Sequence, residues 1–229
     1  MIFRRRDKRR SPTEDAELEA VETPPAEPVD ISTLDEGVTG EAYRSMVGPW
    51  DVTERPVDDS DPRSIDLGSI VVKGRVGFEL RLQTDKETEA VQAIMLVTAD
   101  GAVELRAFAK SRGAGLWDDV RKEIAADAAR KGGTATELDG RYGTELRVVA
   151  QVQTPDGKRG SQTSRIVGVD GPRWLLRATY LGKPATDPDP EYLLEAAVRD
   201  LVIVRGDIAM PPREMLPLRL PPTARKVEN

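Results

Sequence analysis

The sequence predicts an α+β fold, a mostly antiparallel sheet with two helices packed on one face. Three observations carry this: apolar and polar residues alternate over several short runs, Asp-Gly pairs separate those runs, and two stretches change to helical spacing. A charged leader at 1–44, expected to be disordered, precedes a single domain at 45–222. That domain closes with an extended Pro-rich C-terminal strap, and a disordered tail is expected at 223–229.

Residues 1–40 hold Pro12, Pro24, Pro25 and Pro28, one aromatic (Phe3), and no apolar period of 2 or 3.6. Too little apolar surface is present there to offset chain entropy. Residues 41–64 add Tyr43, Met46, Val47 and Trp50, and read as a segment that docks on the domain with Trp50 as its anchor. Val76, Phe78, Leu80 and Leu82 then alternate with polar residues, the pattern of a strand with one buried face. Residues 91–99 are apolar on both faces, Asp100-Gly101 turns the chain, and Val103, Leu105, Ala107 and Ala109 alternate again, which predicts a hairpin with a central strand.

The period changes over 116–131, where Leu116, Val120, Ile124 and Ala128 share a helical stripe beside Trp117. Asp118 and Asp119 suit the positive end of the helix dipole, and Arg130 and Lys131 precede a Gly132-Gly133 stop. Strands follow at 134–139, 144–153, 160–169 and 173–181, with Asp139-Gly140, Asp156-Gly157 and Asp170-Gly171 between them. A second helix is expected to open at 187–190, capped by Asp189 with Pro190 in its first turn, and to bury Leu193, Leu194, Ala197, Val198 and Leu201. A short strand at 201–204 comes next. The five prolines of 208–222 then force an extended strap that covers the sheet through Met215, Leu216, Leu218 and Leu220. Two half-sheets divided near Gly113 are the alternative arrangement.

Charge and composition limit the chemistry. The chain has 34 Lys and Arg, 40 Asp and Glu, no His and no Cys. Ser-His-Asp and Cys-His nucleophile pairs, disulfides and zinc sites of the usual nitrogen and sulfur ligands are therefore excluded. The net charge of -6 is unevenly spread. Arg4, Arg5, Arg6, Lys8, Arg9 and Arg10 face only Asp7 in the first ten residues, whereas 11–43 carry ten carboxylates and no cation. The basic run passes straight into Ser11, Pro12 and acidic sequence without the apolar core of a secretory signal. No apolar run approaches the roughly 18 residues of a membrane crossing, so a cytoplasmic protein is expected.

Gly115-Leu116-Trp117-Asp118-Asp119-Val120-Arg121, the stretch from Gly168 through Arg177 (GVDGPRWLLR) and the stretch from Leu216 through Pro221 (LPLRLP) resemble an actinobacterial family of unknown function. The resemblance spans roughly residues 45–222 and implies a cytoplasmic bacterial protein, with no activity or catalytic residue to carry over. The layout also resembles the fold of the Mog1/PsbP type, an analogy of fold alone.

The best candidate site is Arg112, Gly113 and Gly115 before the first long helix, where glycine lets backbone amides approach an anion. The loop lacks the Lys and Ser/Thr of a P-loop, and Asp118 and Asp119 stand where a phosphate would sit, so a plain strand-to-helix connection is favoured. Glu137, Asp139 and Glu145 could offer oxygen ligands to Mg²⁺ or Mn²⁺, but turn and solvent-face positions explain all three without a metal, and that reading is favoured. Trp174 shares a strand face with Leu176, Ala178 and Tyr180 and is assigned to core, with Arg173 and Arg177 opposite. Arg205-Gly206-Asp207 is read as a turn, and Thr13 and Thr23 as possible phosphorylation sites. With no coherent catalytic set and no cofactor expected, the leading reading is a non-catalytic protein-binding or adaptor module. The alternatives are a metal-dependent phosphate or nucleotide hydrolase using 112–115, and an electrostatic tether in which the six leader cations hold an anionic membrane or nucleic acid.

Overall fold

A computed structural model describes residues 31, 34, 37–85, 87–88, 90–113, 115–153, 159–189 and 191–221. The six leader cations, Thr13, Thr23, the Asp156-Gly157 turn, Pro190 and the 223–229 tail lie outside the described residues.

A helix, α1 (Gly40–Val47), is followed by short strands β1 (Trp50–Asp51), β2 (Ser64–Asp66) and β3 (Ile70–Lys73). Next come β4 (Glu79–Thr84), β5 (Val91–Val97), β6 (Gly101–Ala109) and helix α2 (Trp117–Arg130). Four long strands follow: β7 (Thr134–Gly140), β8 (Gly143–Gln153), β9 (Arg159–Asp170) and β10 (Trp174–Gly182). Two short helices, α3 (Lys183–Thr186) and α4 (Leu193–Arg199), lead to β11 (Val202–Ile203). A seven-stranded antiparallel sheet has the order β4-β5-β6-β10-β9-β8-β7, and a four-stranded sheet the order β1-β11-β3-β2. β6 and β10 pair along their whole lengths, from Trp174 opposite Ala109 to Gly182 opposite Gly101. That pairing joins the two halves that the sequence left open to separation near Gly113.

The two long-sheet faces bury different partners. Trp174, Leu176, Ala178 and Tyr180 of β10 pack with Val103 and Leu105 of β6 against the small sheet and α4. Leu175, Ile166, Leu146 and Val148 pack under α2, with Val120, Ile124 and Ala128 of the helix partly buried above them. The expected placement of both helices on one face is therefore corrected. Central strands are apolar on both sides, and each side needs its own cover.

Other boundaries also move. Residues 40–44, assigned to the leader by composition, open α1, and the deepest anchors of the docking segment are Tyr43, Arg44 and Val47, with Trp50 only half-buried. Val76 is 100% exposed because Gly77, at φ +105, turns the chain before β4 begins. Asp189 Oδ1 accepts from the Glu191 amide in a turn ahead of α4, which itself starts at Leu193 with Tyr192 at its N-cap. Residues 208–221 form no helix, turn at Arg213, and meet the long sheet at isolated bridges of Met215 with Phe108 and Leu218 with Val91. The Arg213, Leu216 and Arg219 amides donate to the Ala109, Ala107 and Leu67 carbonyls. Leu216 is fully buried in the main core cluster, but Leu220 is exposed and outside that cluster.

Candidate functional site

The polar cleft of about 230 Å³ lies where α1, the start of α2 and the β8–β9 end of the long sheet meet. Glu41 and Arg44 line one side, Trp117 and Asp118 another, and Tyr142, Thr144 and Gly168 also border it. Trp117 lies flat across β9 because position 168 has no side chain: a Cβ there would stand 2.0 Å from the indole Cδ2. The indole N–H donates to the Thr144 carbonyl at 2.6 Å.

Asp170, at the end of β9, reaches the start of α2. Its carboxylate accepts from the Leu116 amide at 3.1 and 3.2 Å and the Trp117 amide at 3.2 Å, and Lys110 Nζ stands 3.4 Å away. The helix start is thus capped by an anion of the protein itself. Arg112 is exposed in the preceding loop, Gly113 takes φ +76, and Gly115 lies beside Asp170. Two of the amides that a phosphate would use at this helix end, those of Leu116 and Trp117, are already bonded to a carboxylate.

Across the cleft, the Arg44 side chain is 2% exposed and donates to both oxygens of Glu41 (2.9 and 2.7 Å), both of Glu54 (2.8 and 2.7 Å) and the Pro49 carbonyl (3.1 Å). Burial weakens the Arg44 cation, but the two glutamates more than restore it and hold its pKa above the usual value. Arg44 in turn holds the Glu54 carboxyl below its ordinary range. Beneath it, Asp51 accepts from Trp174 Nε1 at 2.8 Å and from the Thr53 hydroxyl at 2.6 Å. Burial pushes Asp51 up, and the bonds from Thr53 and Trp174 outweigh it, leaving the carboxyl below the ordinary value.

A second charged group lies deeper. Arg165 donates to Glu145 at 3.1 Å, to Glu195 and to the Pro184 carbonyl at 3.1 Å, with its guanidinium 4.1 Å from the Tyr180 ring centroid. Tyr180 donates to Glu195 at 2.9 Å. Burial pushes Glu145 up against the pull of Arg165. Glu145 is therefore consumed in this network, Glu137 pairs with Arg121, and Asp139 is exposed, so the three suggested metal ligands do not converge. Among the described residues no group of three or more acids could hold a metal. Trp174 is buried with Leu176, Ala178 and Tyr180 as the alternation required, and Arg205 donates to the Ile208 carbonyl in a turn.

The sequence reading missed Arg44, Asp51, Asp170 and the Arg165 network. Arg165 did leave a signal: it shares parity with inward-facing Val167 and Val169, where a charge must find partners. Chemically, the cleft presents Glu41 and Asp118 at its mouth, each exposed but paired with an arginine, and the charged side chains deeper in it, Arg44 and Asp170, are likewise bonded to protein.

The family model described as a protein of unknown function (DUF3710) matches residues 48–227. No curated protein matches the chain. The solution structure of cyanobacterial PsbP (CyanoP) from Synechocystis sp. PCC 6803 is similar at 8% identity, covering 64% of this chain and 96% of that one, with a TM-score of 0.32. No helix among the described residues is long and apolar enough to cross a membrane.

Proposed function

We propose that the chain, which belongs to the DUF3710 family, is a non-catalytic protein-binding or adaptor module that receives a cationic side chain of its partner in the α1–α2 cleft. One observation carries the reading. The carboxylates and cations that line the cleft are held by bonds within the protein, so no acid and base pair faces a reacting atom, while Glu41 shares Arg44 with Glu54 and Asp118 shares Arg121 with Glu137, which leaves carboxylates in excess at the rim. A rim charge of this kind selects and steers a partner of opposite sign.

The setting we propose is the cytoplasm. Affinity capture from native cytoplasm, with wild-type protein compared against Asp118→Lys, tests the reading. A protein partner recovered by the wild type and depleted by the variant is the expected result. Failure to enrich any protein, together with turnover of a nucleotide that Arg112→Ala abolishes, would establish the hydrolase alternative in its place. The Asp170 cap stands against that alternative because it fills the anion position.

A further inference from the structure

We propose that the acidic segment 11–30 of this chain docks in cis on the open half of the long sheet, over Arg81, Arg106 and Arg177. This inference is independent of the cleft reading above. α2 covers β7, β8 and β9 and shares a core cluster with Leu175 of β10 and Phe108 of β6, leaving the same face of β4, β5 and the rest of β6 and β10 without a helix. On that face Arg81 pairs across to Met95, Met95 to Glu104 and Glu104 to Thr179, and Arg106 stands directly opposite Arg177. All are partly or fully exposed, whereas the alternate residues Val103, Leu105, Leu176 and Ala178 are buried on the other side.

The charges on this surface do not balance. Arg81 bonds Glu79 at 2.8 Å and Arg106 bonds Glu104 at 2.9 Å, which leaves Arg177 only a 3.8 Å share of the same Glu104 oxygen. Arg177 lies over the Phe108 ring at 5.5 Å, its Nε is buried without a hydrogen-bond partner, and burial together with Arg106 lowers its pKa. Like charges placed directly opposite on neighbouring strands repel, and a half-buried cation without a close anion is costly. A supplied carboxylate relieves both.

The chain carries such carboxylates where they can reach. Residues 11–30 hold seven acids and no cation. The segment joins the domain at Gly40, whose amide bonds the Arg141 carbonyl and which borders the same cleft as Gly168. Gly168 is the β9 partner of Arg177, so the cleft that Gly40 borders lies one strand from the arginine row, with Trp117 of α2 over Gly168 between them. The ten positions from Asp30 to Gly40 span up to roughly 33–36 Å when extended, against strand spacings of about 4.8 Å.

The chain has no cysteine, so Ala20→Cys gives one attachment point for a nitroxide on the full-length protein. Paramagnetic broadening of backbone amides is then read by NMR. The expected result at low salt is at least about two-fold attenuation at 104–108 and 175–179, largely lost at about 1 M NaCl, where screening is nearly complete within roughly 3 Å. Arg106→Gln with Arg177→Gln should abolish it. So should Glu17→Gln, Glu19→Gln and Glu22→Gln together, which leave the domain untouched should the arginine variant misfold. Broadening confined to residues 1–10, where the acids would be pairing with the leader's own cations, or broadening that persists in the glutamine variants, overturns the proposal.

Discussion

Gly168→Ala is the sharpest probe of how the cleft is built. A methyl group at this position meets the Trp117 Cδ2, Cε3 and Cγ atoms at 2.0, 2.3 and 2.5 Å, far inside the roughly 3.5–4.0 Å at which carbon atoms rest together. The indole is 5% exposed and tied to the Thr144 carbonyl, so it cannot slide away without losing its packing and that bond. Overpacking of this kind costs about 1–3 kcal/mol, and expulsion of the ring approaches the roughly 3–5 kcal/mol of a Trp→Ala change. We expect a loss of about 3 kcal/mol in urea unfolding, a fall in Tm of roughly 6–12 °C for a chain of this size. The same substitution in a Trp117→Ala background should cost under about 1 kcal/mol, because the clashing ring is gone. An equal cost in both backgrounds would refute the contact as the reason for glycine at 168.

Three further outcomes follow from the interior. Arg165→Met leaves Glu145 and Glu195 buried without their cation and should cost about 3–5 kcal/mol, whereas adding Glu145→Gln and Glu195→Gln should recover much of it; denaturant titration of both variants decides. The folded-state pKa of Glu54 is lowered by Arg44, so its stabilisation is present above the unfolded value of roughly 4.3 and is lost as pH falls through the folded one, while raised Glu145 contributes below that unfolded value and loses its contribution as pH rises through its folded one. Glu54→Gln should flatten the rising limb of the stability profile and Glu145→Gln the falling limb, and identical profiles for both would contradict the assignment. Leu216→Ala, at a fully buried strap position, should cost about 2–5 kcal/mol, and an unchanged unfolding midpoint would show that the strap is not part of the core.

Much of the fold was legible because long strands leave a period of 2 whatever they pack against. The alternation through Val103, Leu105, Ala107 and Ala109 and through Trp174, Leu176, Ala178 and Tyr180 located β6 and β10 and their inward faces. What periodicity could not supply was the layer above each face: the apolar residues Leu146, Leu175 and Ile166, opposite in parity to those core rows, were the clue that α2 needed its own side. A strand is expected at 201–204, where β11 lies, but the two-residue β1 carries too few positions to show a period, and the small sheet that pairs them went unseen. For the candidate site, the sequence marked the loop at 112–115 and the helix after it, but the residue that fills the helix end comes from Asp170, 54 positions away from Leu116. Read locally, Asp170-Gly171 is a turn signal. Only the approach of β9 to α2 makes it a cap.

The most direct test of the binding-module account is titration of the captured partner, once purified, into wild-type protein and Asp118→Lys by calorimetry. The account predicts saturable binding by the wild type and affinity weakened by at least about ten-fold in the variant, equivalent to roughly 1.4 kcal/mol. Equal affinity for both proteins would contradict it, since the negative mouth of the cleft would then take no part in recognition.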